Sequence, residues 1–349
     1  MNEFLAIDLF SGAGGLALGI EQAGFKIVLA NEIRRDFADS YALNHPTTKL
    51  VVGDIKNLSP RTEAGDANVS LLFGGPPCQG FSTIGKKDRN DDRNSLFWQF
   101  IRISEEVNPD FVLFENVSGF KRMYSGAVYN TLIDELSKCG YSVCCSILDC
   151  SKFGVPQRRK RTIVVGHKPE FKFSMPEGNE EAISMWDAIS DLPAVASGET
   201  ATCYLCEPLN QYQKKMRGEV DALTEHVAPT HGKRLLDVIR HVPAGGSILD
   251  VPLDMRPKGY YLNTYARLFP GEPAPTITRN FGTPSSSRCI HPYQDRGLTT
   301  REGARLQGFP DWYLFSGSRS SKNLQIGNAV PPALGFAVGM AIHASLENS

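Results

Sequence analysis

Apolar runs alternate with amphipathic stretches through the first half of the chain, and this alternation constrains the fold more than any other feature. The apolar runs predict strands at residues 4–7, 25–30, 50–52, 69–73, 111–114, 141–148 and 162–165. Helix-like segments separate several of them, at residues 16–23, 35–43 and 96–107. Continuously apolar strands between helices are typical of a parallel sheet covered on both faces. We therefore predict a doubly wound, mostly parallel α/β domain with a Rossmann-like arrangement.

The pattern changes after Pro176, where Pro, Gly, Ser and Thr are scattered and clear helix-to-strand alternation stops. We predict a smaller, irregular and β-rich second domain over residues 193–318. The small apolar residues of 333–346 predict a helix that is too short to stand alone. Residues 1–192 and 319–349 are therefore assigned together to the first domain.

Composition bounds the class of protein. The chain has 349 residues, 41% of them hydrophobic and 21% charged, which is typical of a globular protein with a full core. A formal net charge of -1 argues against nucleic-acid binding through overall basicity, but a local basic groove remains possible. No apolar run of about 18 residues and no signal-like start are evident, which predicts an intracellular protein without a membrane span.

The eight cysteines are scattered through the chain, which favours reduced thiols over a disulfide framework. Cys203 and Cys206 have the spacing of a zinc-binding pair, but no second pair lies at a suitable distance. We favour the interpretation without metal.

A glycine-rich loop between the first strand and the first helix predicts a ligand site. Glycines let the backbone approach a ligand closely, beside the positive end of a helix. Acidic residues follow the next two strands, Glu32 after the second and Asp54 after the third. An acid after the second strand suits ribose hydroxyls, and one after the third can accept from an adenine amino group. This pattern favours an adenosine-containing cofactor.

Cys78 follows the apolar run 69–73 through Gly74-Gly75-Pro76-Pro77. Two prolines cannot continue a strand ladder, so they hold the thiol at the carboxyl edge of the sheet. A free cysteine is more often a small buried hydrophobe, and this alternative stays open for Cys78 alone.

Glu115 ends the next apolar strand, on the same predicted edge. Partial burial would raise the pKa of its carboxyl and allow it to hold a proton. A helix cap or a salt-bridge partner is the alternative. Together, a thiolate and a proton-donating carboxyl predict covalent addition to a conjugated ring.

A basic cluster leads into the last predicted strand. Strand alternation places Gln157, Arg159 and Arg161 on one face and Arg158 and Lys160 on the other. Residues 152–172 contain several cations and a single acid, Glu170. This local excess of positive charge favours binding of an anionic substrate.

Six segments in this order resemble the motifs of the C5-cytosine DNA methyltransferases. They are Phe10-Ser11-Gly12-Ala13-Gly14-Gly15, Gly75-Pro76-Pro77-Cys78-Gln79, Glu115-Asn116-Val117, Gln157-x-Arg159-x-Arg161, Arg301-Glu302-x-Ala304-Arg305-Leu306-Gln307-Gly308-Phe309-Pro310 and Gln325-Ile326-Gly327-Asn328-Ala329-Val330-Pro331-Pro332. Any one of them could arise by chance, but six in family order are highly specific.

The resemblance implies a catalytic set made of Cys78, Glu115, Arg161 and Arg159. Cys78 would attack C6 of a flipped-out cytosine, and Glu115 would protonate or hydrogen-bond N3 and the amino group. Arg161, with Arg159, would contact the base and steady Glu115. Loss of the C5 proton and elimination of Cys78 would release 5-methylcytosine; no residue of the sequence stands out as the base, and water could serve.

The resemblance also implies S-adenosylmethionine as the cofactor, with S-adenosylhomocysteine as product and no metal. The residues that would bind it are Phe10, Ser11, Gly12, Gly14, Gly15, Leu16, Glu32, Asp54, Ile55, Pro76 and Asn328. In this family an aromatic residue often follows the acid of the second strand, whereas in this chain Ile33 follows Glu32. Adenine stacking would then rest more on Phe10.

Double-stranded DNA is the implied substrate, and residues 193–318 would form the target-recognition domain, which reads base edges in the major groove. A loop over residues 82–93 would close over the DNA. The implied DNA-binding residues are Gln79, Ser82, Arg93, Asn116, Gln157, Arg267, Thr278 and Arg279.

We expect a stand-alone prokaryotic enzyme of the restriction-modification type, monomeric and cytoplasmic at the nucleoid, beside a separately acting restriction endonuclease. Three alternatives fit the residues less well. An RNA cytosine methyltransferase of the tRNA-modifying branch is disfavoured because the Cys-Phe-Thr signature is absent. A catalytically dead relative would lack Cys78 or Glu115. A dinucleotide oxidoreductase does not fit the close spacing of Gly14 and Gly15.

Overall fold

The computed structural model of the chain describes residues 3–65, 68–77, 95–262 and 264–348. The chain forms two compact units. Unit 1 comprises Met1–Asp149, Lys160–Gly178 and Pro332–Ser349, and unit 2 comprises Cys150–Arg159 and Asn179–Pro331.

Strands and helices are numbered separately in chain order. The strands are β1 (Phe4–Leu9), β2 (Phe25–Glu32), β3 (Lys49–Val52), β4 (Val69–Gly74), β5 (Phe111–Val117), β6 (Ser142–Asp149), β7 (Gln157–Arg158), β8 (Lys160–His167) and β9 (Ala274–Pro275). The helices are α1 (Gly15–Gln22), α2 (Arg35–Asn44), α3 (Pro60–Ala64), α4 (Ser95–Val107), α5 (Ala127–Lys138), α6 (Met185–Ile189), α7 (Gln211–Arg217), α8 (Lys233–Arg240), α9 (Thr300–Gln307), α10 (Arg319–Asn328) and α11 (Pro332–Glu347). Short 3-10 helices lie at Ile55–Asn57, Phe120–Gly126, Cys150–Phe153, Ile248–Asp250 and Pro284–Ser286.

Unit 1 is built on a seven-stranded sheet in the order β3-β2-β1-β4-β5-β8-β6. The neighbours from β3 to β5 pair in parallel, whereas β8 runs antiparallel to both β5 and β6. The predicted doubly wound, mostly parallel α/β domain is confirmed. The pattern did not predict helix α5 or the reversed direction of β8.

The core of unit 1 explains why the strands are so apolar. Strand β4 is buried along its whole length, and β5 is buried as far as Asn116. A cluster of aromatic rings from α4 and β5 fills one face, where Phe100 and Phe114 meet edge to face at 5.3 Å between ring centroids. Because helices cover both faces of these strands, polar side chains of the central strands concentrate at the strand ends.

Helices α1 and α11 cross at a contact that only small residues allow. A Cβ on Gly19 would overlap the Pro332 carbonyl oxygen and the Phe336 amide nitrogen, and a Cβ on Gly335 would lie 2.8 Å from the Leu16 carbonyl oxygen. The predicted C-terminal helix therefore packs on the first helix of unit 1. Its tail is tied down further because the Ser345 hydroxyl donates to the Lys172 carbonyl oxygen at 2.8 Å.

The helical stretch Arg319–Glu347 is long and apolar enough to cross a membrane by length and composition alone, although no such segment was predicted from the apolar runs of the sequence. Half of its most apolar window is buried within the protein. A core helix passes the same test, so this stretch is weak support for a membrane span.

Unit 2 differs from the predicted β-rich domain. Its described strands are the two-residue β7 and β9, which pair in parallel, and its other elements are short helices, isolated bridges and loops. Buried arginine side chains take over the role of strand ladders by donating to backbone carbonyls. Arg301, for example, is 0% exposed and donates to the carbonyl oxygens of Thr224 and Pro310, both at 3.1 Å.

The division between the units also lies elsewhere than at the predicted boundaries of 192 and 319. Residues 150–159, 179–192 and 319–331 belong to unit 2. The reason is side-chain bonding across long sequence separations. Arg305, for example, donates to the Ala188 carbonyl oxygen at 3.1 Å and so holds helix α6 within unit 2.

Gly19→Ala should destabilise the protein by about 2 kcal/mol, because the new Cβ forces α1 and α11 apart and this outweighs the better helix propensity of alanine. Chemical unfolding measures the change. Gly259→Ala is the matched control, since a Cβ there meets nothing within 4 Å. Equal stability of both variants would contradict the close crossing.

Candidate active site

Backbone hydrogen bonds fix the conformation of the glycine-rich loop after β1. Ser11 N donates to the Asn31 carbonyl oxygen at 3.0 Å, and Gly14 N donates to the Ser11 carbonyl oxygen at 3.0 Å. Gly12 and Gly14 have φ values of 59° and 87°, a region that favours glycine. A Cβ on Gly12 would meet nothing within 4 Å, so space lies open beside the loop.

Glu32 ends β2 and ties the loop to it. Its carboxylate accepts from Gly12 N at 2.9 Å and from Arg34 N at 2.8 Å. The residue is 7% exposed, and burial raises the pKa of its carboxyl from the ordinary value. Glu32 is thus a fixed acceptor at the carboxyl end of β2.

Asp54 lies at the end of the neighbouring strand. The Asn31 amide donates to the carbonyl oxygens of Val51 and Gly53 at 3.0 and 3.1 Å and so joins the ends of β2 and β3. Asp54 is exposed, and its carboxylate accepts from Lys56 N at 3.0 Å. Ile55, beside it, is buried in the core. Glu32 and Asp54 therefore lie at one edge of the sheet, as predicted from their strand positions.

Asp8 is a buried acid that was not singled out from the sequence. It lies in β1 directly before the loop and is 2% exposed. Burial, followed by the charges of Glu32 and Glu21, raises the pKa of its carboxyl well above the ordinary value. The available signal was an acid near the end of an otherwise apolar strand, four residues before the first glycine of the loop.

The turn that leads to Cys78 packs tightly against its neighbours. A Cβ on Gly74 would overlap the Leu9 carbonyl oxygen of β1, and a Cβ on Gly75 would lie 2.8 Å from Glu115 Oε2. The Asn116 amide donates to the Pro76 carbonyl oxygen at 3.1 Å and holds the turn against β5. Cys78, Gln79, Ser82 and Arg93 lie outside the described residues.

Glu115 and Arg161 form an ion pair at the end of β5. Arg161 Nε lies 2.8 Å from Glu115 Oε1, and the two side chains are 12% and 11% exposed. The antiparallel register aligns Val117 with Arg161, so the first residues of β8 meet the last residues of β5. The guanidinium therefore orients the carboxylate on the same edge as the turn that leads to Cys78.

Gln157 and Arg159 lie in unit 2, and their side chains bind backbone there. Gln157 Nε2 donates to the Leu306 carbonyl oxygen at 3.0 Å, and Gln157 Oε1 accepts from Ile277 N at 2.8 Å. Arg159 donates to the carbonyl oxygens of Ile277, Gly327 and Ala329 at 2.8 to 3.0 Å. Both residues are buried, so the geometry assigns them to holding unit 2 together.

Arg267 is also a structural crosslink of unit 2. It is 7% exposed, and its guanidinium makes five bonds, to the carbonyl oxygens of Val242, His291, Gln294 and Ile239 and to the Asp295 carboxylate. Five bonds match the five donors of a guanidinium, so Arg267 has none left to read a base. Thr278, Arg279 and Asn328, by contrast, are not buried in unit 2.

In the described parts of the chain, no group of three or more His, Cys, Asp or Glu side chains is placed to hold a metal ion. The seven described cysteines are free thiols, and Cys203 and Cys206 are exposed.

The chain matches the family model of C-5 cytosine-specific DNA methylases over residues 4–344. It is 36% identical to type II methyltransferase M.DdeI of Desulfomicrobium norvegicum, over 98% of this chain and 89% of that protein. It is 34% identical to type II methyltransferase M1.HphI of Haemophilus parahaemolyticus, over 96% of this chain and 86% of that one.

Solved structures give the same result. The crystal structure of a candidate DNA modification methyltransferase encoded within an E. coli prophage superposes with a TM-score of 0.81 at 26% identity, covering 99% of this chain and 100% of that chain. Spodoptera frugiperda DNMT2 superposes with a TM-score of 0.66 at 19% identity, covering 98% and 100%. At that identity the second match supports the fold alone.

Asp8 should make stability depend on pH. Because its pKa is raised above the ordinary 3.8, the native state keeps a proton that the unfolded chain releases. This stabilisation is complete below about pH 4 and is lost as the pH rises toward the raised pKa. Relative to Asp8→Asn, the wild type should therefore lose up to about 1.4 kcal/mol of unfolding free energy per pH unit in this window.

Urea unfolding at several pH values measures the difference, with Asp134→Asn at an exposed position of α5 as the control. A wild-type advantage that stays constant or grows with pH would contradict the buried neutral carboxyl.

Proposed function

This chain belongs to the C-5 cytosine-specific DNA methylase family, and we propose that it methylates C5 of a cytosine in a specific double-stranded DNA site with Cys78 as nucleophile. It is an S-adenosylmethionine-dependent DNA cytosine methyltransferase, like the type II enzymes it resembles. The observation that carries the proposed site is the Glu115 carboxylate, held by Arg161 at 2.8 Å and packed against Gly75, three residues before Cys78.

The chemistry begins with the thiolate of Cys78, which forms a bond to C6 of a cytosine that has left the helix. The electron pair of the C5–C6 bond moves toward C5 and the ring. Glu115 hydrogen-bonds or protonates N3 and contacts the amino group, which stabilises the resulting enamine. Arg161 positions that carboxyl and contacts the base.

The glycine loop and the strand ends would hold the cofactor. The cradle is open at Gly12, and among the described residues the buried Ser11 Oγ has no hydrogen-bond partner. Glu32 would accept hydrogen bonds from the ribose hydroxyls, and Asp54 would accept one from the adenine amino group. Phe10 would stack on the adenine. The other residues proposed to contact the cofactor are Gly14, Gly15, Leu16, Ile55, Pro76 and Asn328. S-adenosylmethionine, when bound, supplies the methyl group and leaves as S-adenosylhomocysteine. The C5 proton is then lost, for which water could serve as the base, and elimination of the Cys78 sulfur frees 5-methylcytosine.

The residues proposed to bind double-stranded DNA fall into two groups. Gln79, Ser82 and Arg93 follow the nucleophile in sequence, and Thr278 and Arg279, which are not buried, are available to read base edges. The buried Asn116, Gln157, Arg159 and Arg267 would act as positioning residues, because their side chains bind backbone. The enzyme would act as a monomer in the cytoplasm at the nucleoid, protecting host DNA from a separate restriction endonuclease.

Cys78→Ala should abolish methyl transfer while leaving binding of DNA and cofactor in place, because it deletes only the attacking thiol. The assay is labelled methyl incorporation into unmethylated plasmid DNA, followed by bisulfite sequencing to find the site. Duplexes with 5-fluorocytosine at that site should then trap a covalent complex with the wild type, because fluorine blocks the elimination. Turnover by Cys78→Ala would exclude Cys78 as the nucleophile.

Gly75→Ala should lower kcat by about 100-fold. The new Cβ would lie 2.8 Å from Glu115 Oε2, which is too close, so the carboxylate must move away from its position beside the turn. A double-mutant cycle with Glu115→Gln tests whether the loss acts through Glu115. The two losses should then be strongly non-additive, with cofactor affinity unchanged. If the two losses multiply instead, Gly75 does not act by placing Glu115.

A further inference from the structure

The segment after β5, residues 118–126, is used by no step of the proposed reaction; we name it the β5 loop. It begins directly after Glu115, Asn116 and Val117, at the carboxyl edge of the sheet. It carries Lys121 and Arg122, and the chain has no acidic residue between Glu115 and Asp134. The loop is therefore a local positive segment beside the proposed catalytic carboxyl.

The backbone of the β5 loop is strained. Tyr124 and Ser125 have φ values of 49° and 57°, and Gly126 follows at 85°. Two consecutive non-glycine residues in the left-handed region each cost about 1 kcal/mol or more, and such strain persists only where the surrounding structure enforces it. Strain of this kind concentrates at functional sites.

Aromatic packing anchors the start of the β5 loop. Phe120 is fully buried, and its ring centroid lies 5.2 Å from that of Phe114, the residue before Glu115. Tyr129 of α5 meets the Phe120 ring edge to face at 6.4 Å, and the Lys121 ammonium lies 5.3 Å from the Tyr129 ring centroid. The loop is thus anchored at the core position adjacent to the catalytic carboxyl.

The turn presents two side chains to solvent. Tyr124 is 49% exposed although it is a large aromatic residue, and Arg122 is exposed beside it. Within the described residues, the Arg122 side chain has no hydrogen bond or ion pair, and its backbone amide donates to the Gly119 carbonyl oxygen at 2.9 Å. A rigid turn that exposes an aromatic ring and a cation has the chemistry that binds unstacked nucleotides and phosphates.

We propose that the β5 loop binds the DNA strand beside the extruded cytosine, with Arg122 on a backbone phosphate and Tyr124 stacked on a neighbouring nucleotide. Extrusion of a base exposes the faces of its neighbours, and an aromatic side chain can cover one of them. The inference rests on the proposed function, which supplies the DNA substrate.

Equilibrium binding to a duplex with the recognised site, in the presence of S-adenosylhomocysteine and over a range of salt concentrations, tests both contacts. Arg122→Ala should weaken binding about tenfold and reduce the slope of log affinity against log salt by about 0.9, whereas Arg122→Lys should keep the slope. Tyr124→Ala should weaken binding about tenfold with an unchanged slope, and Tyr124→Phe should restore it.

Arg61→Ala is the matched control, since Arg61 is an exposed arginine of α3, which leads into the opposite end of β4. Unaltered S-adenosylhomocysteine affinity in every variant shows that unit 1 remains folded. The inference is overturned if Arg122→Ala has the salt slope of Arg61→Ala, or if Tyr124→Ala binds like the wild type. Those outcomes leave wild-type methylation intact, whereas a wild type without methylation overturns the proposed function itself.

Discussion

Parallel pairing of β1, β4 and β5, covered on both faces, is the constraint on which the site depends. Leu9 aligns with Gly74, and Gly74 aligns with Phe114, so the three strands end side by side. Because both faces of such strands are buried, the polar groups that can bind ligands lie at the carboxyl ends of the strands. The glycine loop, the turn before Cys78 and Glu115 follow those ends, and the absence of side chains on Gly74 and Gly75 lets them approach closely.

The reversed direction of β8 completes this edge. A parallel strand would bring its own carboxyl end beside Glu115, whereas the antiparallel β8 brings its first residues there. Arg161 is the second residue of β8 and pairs with Val117 in register, which places its guanidinium on Glu115. One antiparallel strand at this position therefore pairs Glu115, the proposed catalytic acid, with the cation that orients it.

Unit 2 follows a different physical rule, because buried charges rather than strand ladders organise it. Arg296 and Glu302 form a fully buried ion pair at 2.7 Å, and Arg305 binds the Asp311 carboxylate. Although burial acts to raise the pKa of Glu302, the charge of Arg296 holds it well below its usual range. Removing one partner of such a pair would leave the other charge buried and unpaired. The residues around Arg301–Gln307 therefore have a structural role inside unit 2.

The sequence by itself determined the α/β class, the predicted strands and helices of unit 1, the family, and the edge at which Glu32, Asp54 and Glu115 lie. These depend on apolar periodicity and on residues near strand ends, which are local properties of the chain. Only the tertiary structure decided the direction of β8, the boundary of the units and the structural roles of Gln157, Arg159 and Arg267. Those depend on partners more than 20 residues away, such as Arg159 and the Gly327 carbonyl oxygen, 168 positions apart. A local pattern shows that a polar side chain needs a partner, but chain folding selects which one it finds.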